Sequence, residues 1–228
     1  MITLYQFPTS PFCEKIRRIL HFKRIAFSIV DVPRVAVADY ASVSPNGKFP
    51  AIDHDGQAVQ DSTDIAHYIE RHFPTPPLIP EDPREAALCH VIEDWADESL
   101  YFYELVMRLG WESNAVRSVP AFARTMPGLS DEEVLSRLLL GVRAITQPQG
   151  LGRKAEAEIV ADVERHIAAL NAMLEGRDWL AGSRISLADI AVTSQIQALR
   201  GAQEATAIID SFPRIGKWEE RVAGLAPA

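Results

Sequence analysis

Residues 2–31 read ITLYQFPTSPFCEKIRRILHFKRIAFSIVD and establish the fold of the first part of the chain. Residues 2–5 are apolar and partly alternating, which predicts a short strand, and alternation returns over residues 26–31. Between them, four apolar side chains recur at helical spacing: Phe12, Ile16, Ile19 and Leu20. They predict a helix over residues 11–24, with Pro11 in its first turn. A strand, a helix and a strand over this length form a βαβ unit, whose two strands are parallel.

A hairpin followed by a helix is predicted further along the chain. Asp55-Gly56 separates two short apolar runs, residues 49–53 and 57–59, and this dipeptide is a strong hairpin signal. An apolar helical pattern starts after Asp61-Ser62, so that residues 50–72 have the order strand, strand, helix. The complete order βαβ–ββα is that of a thioredoxin-like α/β domain.

Residues 74–83 read PTPPLIPEDP and separate this region from a second one. Five prolines in ten residues exclude a helix interior or a central strand. Beyond them an apolar stripe of about six turns runs from Leu88 to Leu109, and the rest of the chain also has helical patterns. We therefore predict an N-terminal thioredoxin-like domain over 1–74, a linker over 75–84 and an all-α C-terminal helical bundle over 85–228.

Capping residues mark helix starts in the second region. Ser130 is followed by three acidic residues, as in the first turn of a helix. Ser186-Leu-Ala-Asp189 is a capping box in which Asp replaces the usual Glu. A last short helix is predicted to begin at Pro213. Residues 111–128 contain two prolines and show no regular pattern.

Composition excludes several classes of function. The 228 residues carry a net charge of −8, which disfavours binding to nucleic acid and to anionic membrane surfaces. No stretch reaches the ~18 apolar residues of a membrane span, and the first residues lack a signal-peptide pattern. The two cysteines, Cys13 and Cys89, are too few for a disulfide scaffold, and no cluster has zinc-ligand spacing. We expect a cytoplasmic protein without a bound metal.

The turn before the first helix is a candidate site for a thiolate. Ser10 lies where free backbone N–H groups and the positive end of a helix dipole stabilise an anion. Ser10 is equally well explained as a helix N-cap. Cys13 lies one turn into the helix, on its apolar face, and is predicted to be a buried core residue.

Three further features of the first domain favour a peptide-like ligand. In the thioredoxin-like order Pro50 is the expected cis proline, and a cis Phe49-Pro50 bond turns the backbone of Phe49 outward to pair like an added strand. Asp61 and Ser62 cap a helix, and such a helix start also binds a carboxylate. A lone lysine is usually only solvated, but Lys48, next to Phe49, could also meet a second carboxylate. These features favour a ligand with a central thiol, a peptide-like stretch and a carboxylate at each end. Glutathione fits this description.

Six stretches of the chain resemble, in order, the cytosolic glutathione S-transferases. They are LYQFPTSPFCEKIR (4–17), PNGKFPAID (45–53), QDSTDIAHYIERHFP (60–74), PLIPEDPREAA (77–87), WLAGSRISLADIAV (179–192) and FPRIGKW (212–218). Each motif is loose, but the ordered set is specific and covers nearly the whole chain. Serine at position 10 is similar to the theta and zeta classes, whereas omega-type and glutaredoxin-like members have a cysteine there.

The resemblance implies a role for each site residue. Ser10 would activate the thiol, and the main chain of Phe49 would pair with the cysteinyl unit of glutathione. Asp61 and Ser62 would hold the γ-glutamyl amine and carboxylate, and Lys48 would approach the glycyl carboxylate. The chain departs from the family pattern at Asp61, where glutamate is more usual, and this shorter side chain puts the amine contact in doubt.

The implied activity is attack of the glutathione thiolate on a small hydrophobic electrophile, with glutathione as co-substrate and no other cofactor. The electrophile would lie in the cleft between the domains, where Tyr101, Tyr103 and Trp111 are candidate walls. The family also implies a homodimer, with the first long helix and the 61–72 helix near the interface. Two alternatives remain open: a glutaredoxin-like thiol reductase or peroxidase, and a non-catalytic binding module of the same fold.

Overall fold

The computed structural model describes residues 1–228 and has a small sheet at its N-terminal end. The strands are β1 (Ile2–Gln6), β2 (Phe27–Asp31), β3 (Ala51–His54) and β4 (Gln57–Gln60), in the order β2-β1-β3-β4. β1 and β2 are parallel, whereas β3 is antiparallel to both β1 and β4. Helices α1 (Pro11–Phe22) and α2 (Ser62–His72) complete the order βαβ–ββα. The predicted thioredoxin-like fold class is confirmed.

The register of the sheet brings three loops together. Tyr5 near the end of β1 pairs with Ala51 at the start of β3, and Ala51 pairs with Gln60 at the end of β4. The segments that adjoin these positions are residues 7–10 and the two residue pairs 49–50 and 61–62. All three therefore lie at one end of the sheet.

Backbone conformation explains two local features of this domain. Asp55 and Gly56 have φ values of 53° and 89°, the left-handed pair that the predicted Asp-Gly hairpin requires. Arg24 has a φ of 55°, so α1 cannot continue to residue 24 as predicted and ends at Phe22.

The C-terminal region is helical, as predicted. Its helices are α3 (Pro83–Trp95), α4 (Tyr101–Glu104), α5 (Glu112–Ala123), α6 (Asp131–Gln149), α7 (Glu156–Met173), α8 (Leu187–Leu199), α9 (Gln203–Asp210) and α10 (Pro213–Leu225). The π-helical segment Ala96–Leu100 joins α3 to α4, and a second one, Leu105–Gly110, continues α4. The junction residues all keep helical dihedrals, so that residues 83–110 form one rod. This rod is the long apolar stripe of the sequence. None of the helices is long and apolar enough to cross a bilayer.

Two helices were not predicted. α5 lies in the irregular stretch 111–128 and contains Pro120, which removes one backbone donor from the helix. The helix forms because Val119 and Phe122 are buried against α6, and such packing outweighs local propensity. α9 is only eight residues long, too short for a helical period to stand out.

The main hydrophobic core extends from the sheet into the helical region. It contains 41 buried residues, and α8 packs on both α1 and α3. The predicted capping box holds the start of α8: the amide and the hydroxyl of Ser186 donate to Asp189 Oδ2 at 2.9 and 2.7 Å. Asp189 Oδ1 also accepts from Trp218 Nε1 at 2.9 Å, so this carboxylate joins α8 to α10.

Candidate active site

Ser10 ends the loop after β1 and is the N-cap of α1. Its Oγ accepts a hydrogen bond from the Cys13 amide at 3.4 Å, and the side chain is half-buried. The Ser10 hydroxyl donates to no acceptor in the protein, and accepting from Cys13 leaves its hydrogen free to donate. Ser10 is therefore both the cap and a free hydroxyl donor beside a helix N-terminus.

Cys13 is fully buried, as predicted. Its Sγ accepts from the Phe7 amide at 3.4 Å, and the side chain packs with Phe49 and Ala51. Burial raises the pKa of the Cys13 thiol to about 11, which keeps it protonated at neutral pH. A thiol in this state is a poor nucleophile.

The Phe49-Pro50 bond is cis, as predicted. The Phe49 ring is buried and lies edge-on to the Phe7 ring, with centroids 5.1 Å apart. The Phe49 backbone forms no hydrogen bond within the protein, so it is free to pair with an extended ligand. The neighbouring Lys48 is exposed, and its carbonyl accepts from Ser44 Oγ at 2.6 Å and from Gln60 Nε2 at 2.9 Å. These bonds fix the Lys48 backbone and leave its ammonium free.

Asp61 and Ser62 are used differently at the start of α2. Asp61 is exposed, has a φ of 79°, and caps the helix by accepting from the amides of Thr63 at 2.9 Å and Asp64 at 3.3 Å. Ser62 is buried, and its hydroxyl lies 3.3 Å from Asp97 Oδ2. Only Asp61 is open to solvent, while Ser62 also belongs to a buried ionic cluster.

That ionic cluster joins α1, α2 and the long rod, and no local sequence pattern predicts it. Lys15 Nζ forms ion pairs with Glu93 and, at 2.6 Å, with Asp97. Burial alone would lower the pKa of Lys15, but the two carboxylates outweigh burial and raise it above 10.5. Thr63 Oγ1 also donates to Glu93 at 2.6 Å. The cluster fixes the start of α2, and Ser62 with it, against the helical region.

Arg34, which follows β2, is a second charged residue at the boundary between the two regions. Its guanidinium lies 4.0 Å from the Phe7 ring centroid and 5.0 Å from that of Phe122, and Nη2 donates to Thr9 Oγ1 at 3.2 Å. The Arg34 amide donates to the Thr125 carbonyl at 2.6 Å, which ties this segment to the residues after α5. Arg34 thus lies beside the loop that carries Ser10.

Of the three predicted cleft walls, one is next to this loop. The Tyr101 ring lies 4.8 Å from the Phe12 ring, at the start of α1. Tyr103 instead donates to Asp162 on α7 at 3.1 Å, and Trp111 is buried in the main core. Packing inside the helical region engages both of these side chains, and their role as cleft walls stays a prediction.

Both halves of the chain are similar to known proteins. The models of the glutathione S-transferase N-terminal and C-terminal domains match residues 4–77 and 153–221. The protein LigF of Sphingobium sp. strain SYK-6 is 29% identical over 195 residues, which cover 80% of this chain and 72% of LigF. The crystal structure of the β-etherase LigF has a TM-score of 0.72 at 26% identity and covers 97% of this chain and 94% of that one.

Two further relatives match nearly the full length. The isoprene-epoxide–glutathione S-transferase of Rhodococcus sp. strain AD45 is 24% identical over 242 residues, covering 97% of this chain and 98% of the relative. A glutathione S-transferase from Methylobacillus flagellatus, solved with glutathione bound, has a TM-score of 0.66 at 23% identity, with 100% of both chains covered. The match of both domains in their order shows that this chain belongs to the glutathione S-transferase family.

Proposed function

We propose that this chain is a glutathione transferase in which Ser10 stabilises the thiolate of bound glutathione. The observation that supports this most directly is the sheet register. In this register the free Ser10 hydroxyl, the unpaired backbone of Phe49 and the start of α2 adjoin the same end of the sheet. These groups supply one donor for a sulfur, a strand-like edge for a peptide and a helix N-terminus for a carboxylate.

Each remaining site residue has a place in this proposal. Asp61 and Ser62 bind the γ-glutamyl end of glutathione, and Lys48 binds the glycyl carboxylate. Ser62 can bind through its amide at the helix start even though its hydroxyl faces Asp97. The exposed Asp61 carboxylate can accept from the γ-glutamyl amine beside its capping bonds, since a carboxylate offers about four acceptor sites.

The chemistry follows from the charge on sulfur. A free thiol has a pKa near 8.5, so only a small fraction is ionised at neutral pH. The Ser10 hydroxyl and the N-terminus of α1 favour the anion and lower that pKa. The sulfur then forms a bond to an electrophilic atom of the second substrate, whose leaving group departs with the bonding electron pair, and the thiol proton passes to solvent.

Replacement of Ser10 by alanine tests this role without knowledge of the electrophile. In the wild-type complex we expect the pKa of the glutathione thiol to lie about 1–2 units below its free value, and in Ser10→Ala to return toward it. The thiolate absorbance of bound glutathione, titrated against pH, measures both values. Glutathione affinity in calorimetry should change by less than about threefold, because the bulk of the contacts remain.

Ser130→Ala is the matched control, since Ser130 caps α6 through the amide of Glu133 at 3.3 Å. Both changes remove an N-cap and cost about 0.5–2 kcal/mol of stability, but only Ser10→Ala should move the thiol pKa. Equal thiol pKa values in wild type and Ser10→Ala would assign the activation to another donor. Absence of glutathione binding at millimolar concentration would favour the non-catalytic module.

The structure disfavours the reductase alternative. A glutaredoxin-like reaction needs an accessible cysteine in the turn, and position 10 is serine. Cys13 does not replace it, because its sulfur is buried and its pKa is about 11.

We also propose that the protein is a cytoplasmic homodimer with α2 and α3 near the interface. Val91 on α3 supports this position, because 67% of this apolar residue is exposed in the single chain. Light scattering should give about twice the chain mass of 25.3 kDa.

A further inference from the structure

Arg34 carries a positive charge that no carboxylate of the chain neutralises. No Asp or Glu oxygen lies within 4.0 Å of its guanidinium, and its one side-chain acceptor is the neutral Thr9 hydroxyl. Its Nε is shut off from solvent and forms no hydrogen bond. Desolvation, together with the charge of Arg108, lowers the pKa of Arg34 to about 10, so the group is still charged at neutral pH.

Arg108, the neighbouring cation, is already paired. Its Nη1 forms an ion pair with Glu104 Oε1 at 2.6 Å, and its Nη2 donates to the Thr9 carbonyl at 3.2 Å. Two guanidinium groups thus contact Thr9, the residue before Ser10, and one of them lacks a counterion. A desolvated charge without a partner is costly, and such groups concentrate at binding sites.

Two aromatic rings pack against this charge, and two more lie at the start of α1. Phe7 and Phe122 lie on the guanidinium of Arg34, while Phe12 and Tyr101 lie in contact with each other at the start of α1. These rings form apolar walls beside the loop that carries Ser10. A ligand that suits both features has an aromatic body and an anionic group.

We propose that the electrophile of this enzyme is an aryl compound with a carboxylate, and that Arg34 binds this carboxylate. The inference rests on the proposed glutathione transferase function and names its substrate class. Arg34 sets specificity: it holds the carboxylate while the sulfur attacks elsewhere on the electrophile, and it gains and loses no proton in the reaction. The guanidinium has a free donor for an incoming carboxylate at Nη1, which forms no hydrogen bond and, unlike Nε, is not shut off from solvent.

Three kinds of glutathione conjugate test the proposal by calorimetry. S-methylglutathione reports on the glutathione site alone, S-benzylglutathione adds an aromatic body, and S-(carboxybenzyl)glutathione, as its meta and para isomers, adds the carboxylate. On the wild-type protein we expect the better carboxybenzyl isomer to bind at least about tenfold more tightly than the benzyl conjugate. In Arg34→Met this advantage should disappear, while S-methylglutathione affinity changes by less than about threefold. Arg34→Lys should keep part of the advantage, since it keeps the charge without the planar fork.

Arg117→Met is the control for loss of one positive charge, because Arg117 is exposed on α5 and forms no ion pair. It should leave all three affinities unchanged. Equal binding of the benzyl and carboxybenzyl conjugates to the wild type would overturn the proposal and leave the glutathione site intact. An equal loss for all three conjugates in Arg34→Met would assign Arg34 to a carboxylate of glutathione itself and would also overturn it. Failure of S-methylglutathione to bind the wild type would instead remove the proposed function, and this inference with it.

Discussion

Lys15 and Arg34 are two cations at the boundary between the sheet domain and the helical region, and their surroundings differ. Lys15 contacts two carboxylates and lies within 3.5 Å of the hydroxyls of Ser62 and Thr63. Arg34 contacts two aromatic rings and one hydroxyl, with no carboxylate in reach. The first cation is neutralised inside the protein, and the second is not.

The difference indicates a structural role for the charge of Lys15 and a ligand-binding role for that of Arg34. A buried cation with a full set of partners orients the helices that carry those partners. Removal of the cation or of one carboxylate leaves an uncompensated charge in the low-dielectric interior. A cation without a carboxylate partner contributes no such network. Binding of an anion would supply the missing partner and offset the cost of desolvating the charge. Substitutions at the two positions should therefore have different effects on stability and on binding.

Lys15→Met should have the largest effect on stability. It leaves the buried carboxylates of Glu93 and Asp97 without their cation, and breaking a buried pair in this way costs about 3–5 kcal/mol. Urea unfolding at pH 7 would measure the loss. The same change combined with Glu93→Gln and Asp97→Asn should recover most of it, because no uncompensated charge remains. A loss below about 1 kcal/mol for Lys15→Met alone would show that the cluster is not structural.

The acid limb of the stability curve should show a smaller effect of the same cluster. Burial opposes ionisation of Glu93, but Lys15 outweighs burial and holds the pKa of that carboxyl below 4.5. A lowered folded-state pKa gives stability that is complete above the unfolded value and is lost as the pH falls through the folded value. The stability advantage of wild type over Glu93→Gln should therefore shrink as the pH falls from 7 to 3.

For Asp97 we expect the opposite pH dependence of stability in the same experiment. Its Oδ1 is buried without a hydrogen bond, and burial raises the pKa of Asp97 above 3.8 despite the charge of Lys15. A raised folded-state pKa favours the folded protein below the unfolded value, and this gain is lost as the pH rises through the folded value. The stability of wild type relative to Asp97→Asn should therefore increase as the pH falls. Parallel curves for the two variants would contradict the separate environments of the two carboxylates.

The same two cations show how far the sequence predicts the molecule. The Asp55-Gly56 turn and the box of Ser186 with Asp189 depend on residues a few positions apart, so local chemistry predicts them. Ser10 and Phe49 could be placed because they adjoin predicted strands. The partners of Lys15 lie 78 and 82 positions away, and Arg108 meets Thr9 across 99 positions, so no local pattern reveals these contacts. The pairing of one cation and the isolation of the other become visible only once the chain is folded.

Arg34→Met should have the smallest effect on stability of the substitutions at the two cations. The substitution removes one hydrogen bond to Thr9 and the cation–π contacts, worth about 1 kcal/mol each, but it also removes the cost of desolvating an unpaired charge. The methionine side chain still covers the Phe7 and Phe122 rings. We expect the free energy of unfolding in urea to stay within about 1 kcal/mol of wild type, with no loss of cooperativity. A loss comparable to that of Lys15→Met would mean that Arg34 holds the boundary together and that its charge has a structural use. A small change in stability, combined with loss of the preference for the carboxybenzyl conjugates, would mean that Arg34 binds the ligand and does not stabilise the fold.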